Sequence, residues 1–314
     1  MPDLPILRQT CYGTRQSHQG GNTNMPTIGT APHRYDFERD WAKLPRGWNL
    51  GDTRTPGPPQ TSVKGAVAAN GDVYVLARAA HPVLVFDAEG RFQTSWGEGI
   101  FSSFVHGMTI DRDDKVWITD TGLHTVTRHD ADGTVTMTLG TKLSPSPTLY
   151  GRPFNMPTGT TFTRDGSIFV SDGYGNRRVH QFSPTGEHLH AWGEPGTAPG
   201  QFALVHFITA DAQDRLYVCD RENHRIQIFT TTGEVLAEWT GFHMPSDIAF
   251  GKETIYVAGG DGVSLWTMDR RKLAQFPPDE PHKGAFNVHG IWLDAHENIY
   301  LAQFDRSVSR MTRR

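Results

Sequence analysis

Cysteine is nearly missing: Cys11 and Cys219 are the only two in 314 residues. That is too few for a disulfide framework or a thiolate-bound zinc ion. Charge of one sign is lacking as well. Thirty Lys and Arg against 34 Asp and Glu leave a formal net charge of -4. A pI of ≈ 6.4 gives no basic footprint for nucleic acid or an anionic membrane, so neither partner is expected. No apolar run approaches the roughly 20 residues that a membrane-spanning helix needs. The opening stretch MPDLPILRQTCYG has no basic-then-apolar layout of a secretory signal, and the expected compartment is cytoplasmic. Helical periodicity is nearly absent. What the chain has instead is turn-forming residues (33 Gly, 20 Pro) and 15 histidines. That is roughly twice the histidine of average usage, an excess that asks for a role such as metal binding.

Internal repetition organises the rest. Four turns recur between short β-rich runs: Asp87-Ala-Glu-Gly90, Asp130-Ala-Asp-Gly133, Ser183-Pro-Thr-Gly186 and Thr230-Thr-Thr-Gly233. The final Gly of each supplies the positive φ of a hairpin turn. Six copies of one apolar, β-branched and aromatic strand accompany them, at Val73–Leu76, Val116–Thr119, Ile168–Ser171, Leu216–Cys219, Ile255–Ala258 and Ile299–Ala302. Asp follows three of these, at positions 120, 172 and 220. The run Asp220-Arg-Glu-Asn-His-Arg-Ile-Gln-Ile-Phe229 resembles the signature of the NHL repeat. Six such strands predict an all-β chain, a six-bladed β-propeller of NHL-type repeats. Blades are expected near residues 60–97, 104–140, 156–193, 204–240, 244–274 and 286–312. Residues 41–314 form the propeller in this reading, with Trp41–Gly51 as the outer strand that closes the last blade. Residues 1–40 are an extension that wraps the outside or stays flexible.

Before the repeated strand, each unit has an innermost strand lining the channel. Blades two, four and six read Val105-His-Gly-Met-Thr-Ile-Asp111, Val205-His-Phe-Ile-Thr-Ala-Asp211 and Val288-His-Gly-Ile-Trp-Leu-Asp294. Blades three and five carry Pro157-Thr158 and Pro245-Ser246 in that place. Alternate blades of a six-fold ring are about 120° apart, so His106, His206 and His289 should converge on the axis. Three imidazoles with an open fourth position are the donor set of a catalytic zinc site. One channel histidine alone would more often be a hydrogen-bonded structural residue; three in one register reverse that preference. His224 falls in the repeat consensus and reads as structural. His188 and His190 alternate on an outer strand. His81, His129, His180 and His282 have no evident partner, and His124 and His243 are undecided.

Several separated stretches resemble the peptidyl-α-hydroxyglycine α-amidating lyases: Val105–Asp111, Trp117-Ile-Thr-Asp-Thr-Gly-Leu-His124, Val170-Ser-Asp-Gly-Tyr-Gly-Asn-Arg177 and Asp220-Arg-Glu-Asn223. The similarity covers roughly residues 60–312. It implies a zinc-dependent carbon–nitrogen lyase that cleaves a small or peptide-derived carbinolamide to an amide and an α-oxo acid such as glyoxylate. His106, His206 and His289 would hold zinc. Tyr174 would be the base, and Arg78 and Arg221 the active-site arginines. Without the resemblance, the repeat register already sets Arg78 and Arg221 at the same strand end of blades one and four, with Tyr174 one residue past it in blade three. The resemblance also implies a structural calcium ion, but Gly290 stands where its Asp would follow the last histidine. Gly175 replaces a disulfide cysteine beside the tyrosine. Two competing readings are a metal-dependent propeller hydrolase of a small molecule and an NHL-propeller binding platform without enzymatic activity.

Overall fold

The computed structural model describes residues 26–51, 62–146, 153–276, 288–304 and 307–314. Cys11, His282 and the first 25 residues of the expected extension lie outside these. The described chain forms six radial antiparallel sheets. Blades one to five are consecutive four-stranded meanders running from Ser62 to Trp96, Val105 to Gly140, Pro157 to Trp192, Val205 to Trp239 and Asp247 to Phe276. Their innermost strands pack around the axis, and each second strand is one of the six apolar repeats. The second strands of blades one to four are buried throughout, because both faces lie against a neighbouring blade. Gly90, Gly133, Gly186 and Gly233 take φ values of 78°, 89°, 88° and 85°, as the four turn signals require. Blade five has Arg270 at φ 69° in the equivalent turn, so its hairpin carries no glycine signal.

The ring closes differently from the sequence-based expectation. The last blade takes three strands from the C-terminal end, Val288–Leu293, Ile299–Gln303 and Val308–Arg313. Its outer strand is Tyr35–Glu38, antiparallel to Val308–Arg313, and Thr27–Ile28 adds a fifth. The propeller therefore begins well before residue 41, inside the stretch assigned to an extension. Tyr35-Asp-Phe-Glu38 alternates buried and half-buried in the period of a strand. Trp41–Gly51 contains Pro45 and Gly47, lacks that alternation, and crosses from blade six to blade one. Along it, the amide of Trp41 donates to Val308 O (3.0 Å), and single bridges join Lys43 to Arg91 and Gly51 to Arg78. Trp41 is fully buried among Val73, Phe86, Tyr300 and Val308. Removing such a side chain costs about 3–5 kcal/mol, so the crossing locks the seam by packing.

In blades two, three and four, the Asp ending the second strand ties down the loop that leads into its own blade. Asp120 accepts from Ser102 N, Asp172 from Asn155 N and Asp220 from Ala203 N, at 2.7–3.0 Å. A buried pair also lies in the channel: Lys64 of blade one donates to the Asp247 carboxylate of blade five and to Ile291 O (2.8 Å).

Candidate metal centre and active site

His106, His206 and His289 each occupy a β-bulge at the start of an innermost strand. Val105 pairs with Asp120 and Gly107 with Thr119, which leaves His106 as the extra residue. The same interruption flanks His206 and His289. A bulge turns one side chain away from the regular alternation, and here it turns each imidazole into the channel. The rings are near-equidistant, with centroids 4.8, 4.8 and 5.1 Å apart. One donor nitrogen from each lies within 4.8 Å of the others, and all three residues are buried.

The tautomers follow from the hydrogen bonds. Nδ1 of His106 meets Thr158 O at 2.7 Å, Nδ1 of His206 meets Ser246 O at 2.7 Å, and Nδ1 of His289 meets Val63 O at 2.8 Å. A carbonyl can only accept, so each Nδ1 carries its proton and each Nε2 offers a lone pair. His206 Nε2 is buried with no hydrogen-bond partner among the described residues. Burial, reinforced by the other two imidazoles, holds His106 well below the usual imidazole range. His206 is lowered likewise by burial and then by His289, and His289 is pushed down to about 3 by burial and Arg78. Three neutral imidazoles aiming lone pairs at one point are a metal-donor set, and their carbonyl partners hold the ring orientation a ligand needs.

Each carbonyl acceptor belongs to the next blade, and the pattern runs round the whole ring. Thr158 Oγ1, which also meets Ser171 Oγ, donates to Val205 O of blade four (2.9 Å). Ser246 Oγ donates to Val288 O of blade six (3.2 Å). His289 links blade six to blade one. Val63 has no donor to continue the series, and Arg78 Nε makes the remaining link, from blade one to Val105 O of blade two (3.0 Å). Six bonds thus form a belt around the channel, each joining one blade to the next.

The structure brings all six expected residues to one mouth. The Tyr174 hydroxyl donates to His106 Nε2 at 3.2 Å, and its ring lies 5.2 and 6.0 Å from those of His106 and His206. Arg78 is buried, and its guanidinium lies 4.7 Å over the Phe104 ring. Burial lowers it to about 10, so it stays charged at neutral pH. Arg221 approaches the Tyr174 ring to 5.9 Å and pairs with its neighbour Glu222. That pairing divides the guanidinium between a carboxylate of the chain and the channel mouth. Phe104 lies 5.8 Å from Tyr174, and Phe304 meets His289 edge-on at 5.3 Å. Neither aromatic was among the expected site residues. The repeat register does mark Phe304, which stands in blade six where Arg78 stands in blade one.

Several other histidines among the described residues serve the scaffold. His124 and His224 sit at the same place in blades two and four. Each accepts the amide of a loop methionine, Met156 or Met244, at 3.1 Å. His180 does have partners: its ring nitrogens meet Asp172 (3.2 Å) and His188 (3.1 Å).

A six-bladed ring with a buried three-histidine cluster at one channel mouth defines the class: an NHL-repeat propeller with a built donor site. The NHL repeat profile matches residues 202–229. Mouse NHL repeat-containing protein 3 is 35% identical over 252 residues, covering 76% of this chain and 71% of that protein. Drosophila melanogaster peptidyl-alpha-hydroxyglycine alpha-amidating lyase 1 is 32% identical over 188 residues, 56% of this chain and 34% of the lyase. The chain thus spans about a third of that relative's length. A solved streptogramin B lyase superposes with a TM-score of 0.62 at 14% identity, covering 88% of this chain and 97% of that one, a likeness of fold alone. The chain belongs to the NHL-repeat propeller family that includes NHL repeat-containing protein 3 and the peptidyl-α-hydroxyglycine α-amidating lyases.

Proposed function

We propose that this chain is a zinc-dependent lyase that cleaves the C–N bond of an α-hydroxyglycine-type carbinolamide, R-CO-NH-CH(OH)-COO⁻, to an amide and glyoxylate. The observation that carries the reading is the convergence of three neutral imidazole lone pairs beside a tyrosine hydroxyl and a buried arginine. His106, His206 and His289 would hold the zinc ion, and the partnerless Nε2 of His206 fits that duty. When bound, zinc supplies Lewis acidity that eases loss of the substrate's hydroxyl proton.

The chain's own groups do the rest. Arg78 and Arg221 receive the carboxylate, a task suited to forked guanidinium donors. Tyr174 must first release His106 Nε2 and give its own proton to solvent; its phenolic oxygen then takes the substrate's hydroxyl proton. The O–H electron pair becomes the new C=O bond, the C–N pair leaves on nitrogen, and the proton held by Tyr174 completes the amide. Burial of the three histidines keeps competing protons off the donor set. The name of the Drosophila relative supports this reaction class.

The test is glyoxylate release from α-hydroxyhippurate by metal-replete protein. Tyr174→Phe should keep its zinc and lose about 10²–10⁴-fold in turnover, the usual contribution of a positioned acid–base group. A metal-replete Tyr174→Phe protein that keeps full activity would refute the mechanism. Loss of the metal to a chelator should abolish release, and added zinc should restore it. A platform without enzymatic activity would instead be indifferent to the chelator.

A further inference from the structure

We propose that Phe304 is a specificity-determining residue that selects substrates whose nitrogen carries an aromatic or bulky apolar acyl group. This rests on the lyase reading and deepens it. The residue after each second strand stands at the channel mouth, and the six positions are Arg78, Thr121, Gly173, Arg221, Gly260 and Phe304. Chemistry already occupies three: Arg78, Arg221, and Gly173 with its following Tyr174. A fourth is spent, because Thr121 is buried and donates to Pro157 O at 2.6 Å. Blades five and six remain.

Blade five has a glycine at this position, Gly260, with the His243 ring beside it and the exposed Asp261 after it. Its second and third strands, Thr254–Gly259 and Gly262–Thr267, are joined by Gly260 and Asp261 alone. In blades three and four the equivalent connections run through residues 173–177 and 221–224. The connection is shorter at blade five than at blades three and four, and Phe304 stands on the adjacent blade six. Phe304 is half-buried, with its ring edge-on to His289 (5.3 Å, 75°). Phe104, the other aromatic at the mouth, has Arg78 over its face and Tyr174 beside it.

A carbinolamide carries four substituents on its reacting carbon: hydrogen, hydroxyl, carboxylate and the acylated nitrogen. Tyr174 takes the hydroxyl and the arginines take the carboxylate. The acyl group then leaves the site over blades five and six, the sector that the tyrosine and the arginines leave open, with Phe304 as its wall. An aromatic acyl group gains an offset or edge-to-face ring contact there that an acetyl group cannot make.

The experiment separates binding from turnover. Hippurate (N-benzoylglycine) and N-acetylglycine lack the hydroxyl and do not react. Each is titrated calorimetrically into zinc-loaded wild type, Phe304→Ala and Phe304→Leu, with zinc content measured on each. Glyoxylate release from the corresponding α-hydroxy compounds is followed in parallel. Wild type should prefer the benzoyl ligand by about tenfold, the scale of a modest apolar pocket. Phe304→Ala should bring the ratio below about twofold with N-acetylglycine binding unchanged, and Phe304→Leu should fall between. A benzoyl-to-acetyl ratio equal in wild type and Phe304→Ala overturns the proposal. So does an equal loss for both ligands, which would make Phe304 a prop for His289 only. Glyoxylate release with an unchanged ratio sinks this inference alone. A binding preference lost in Phe304→Ala but without glyoxylate release sinks the lyase reading and leaves Phe304 a binding determinant only, and neither binding nor release sinks both.

Discussion

Replacing Lys64 with Met removes an ammonium group from the channel and leaves its volume nearly filled. The Lys64 side chain is 9% exposed and its partner Asp247 1%. Lys64 donates to Asp247 and to Ile291 O, and its charge sits 4.4 Å over the Phe207 ring. After the substitution Asp247 keeps two main-chain donors, Ile248 N and Ile291 N, both at 2.8 Å. Its negative charge, however, stays buried without the cation. Breaking a buried pair from one side costs about 3–5 kcal/mol, so Lys64→Met should lose that much by urea denaturation followed through tryptophan fluorescence. Adding Asp247→Asn removes the stranded charge, and its one amide oxygen keeps one of the two main-chain donors that the carboxylate oxygens held. The double variant should therefore recover to within about 1–2 kcal/mol of wild type, since neutral replacements of buried pairs are often tolerated. Lys64 follows Val63, whose carbonyl orients His289. Zinc retention should fall in the single variant and return in the double. Two outcomes would refute this reasoning: a Lys64→Met cost under about 0.5 kcal/mol, typical of a surface lysine, or single-variant costs that simply add.

Other expectations follow from single contacts. A Cβ on Gly173 would lie 1.8 Å from Val205 O, so Gly173→Ala must displace the strand leading into His206. It should cost about 1–3 kcal/mol and weaken zinc binding, measured by competition with a chromogenic chelator. Phe37 is buried in the closing strand, and Phe37→Ala should cost about 3–5 kcal/mol in thermal unfolding. Acid should weaken the metal-free protein. Histidines held below their unfolded value of about 6.5 leave the unfolded chain binding more protons as pH falls below that value. The stability present above pH 6.5 is then lost toward about 3, where His289 itself titrates. At pH 5.5 the loss is about 1.4 kcal/mol for each of the three. A variant with all three replaced by Asn should show a correspondingly flatter urea midpoint between pH 7.5 and 5.5; an unchanged slope would contradict the assignment.

Much of the ring was legible because its signals are local. A strand of Val, Ile and Tyr between turn residues repeats at blade spacing, and the Val-His register marks three channel positions without any knowledge of the third dimension. The closing strand escapes the sequence because Tyr35–Glu38 spans four residues, too few for alternation to stand out, while Trp41 just after it is a large apolar residue that belongs to no strand. Its burial comes from the crossing between blades. Lys64 and Asp247 are 183 positions apart, and nothing in either neighbourhood foretells their pairing. The partners of the three imidazoles were hidden for another reason. They are main-chain carbonyls, which every residue has, so no residue type marks Thr158, Ser246 or Val63 as the ones that matter. The pairing of Arg221 with Glu222 lay in plain view, yet adjacent charges alone do not show whether they meet.

The belt of six bonds gives the proposed metal centre an architectural debt to the ring as a whole. Each imidazole is aimed by the blade after it, and the His289–Val63 link spans the seam where the two ends of the chain are sewn together. Grafting three histidines onto another propeller would therefore transplant the donors without the steering that fixes their tautomers. Conversely, metal affinity becomes a gauge of circular integrity: loosening the Tyr35–Glu38 stitch, on the outer edge of blade six, should be felt at the axis as a weaker grip on the ion.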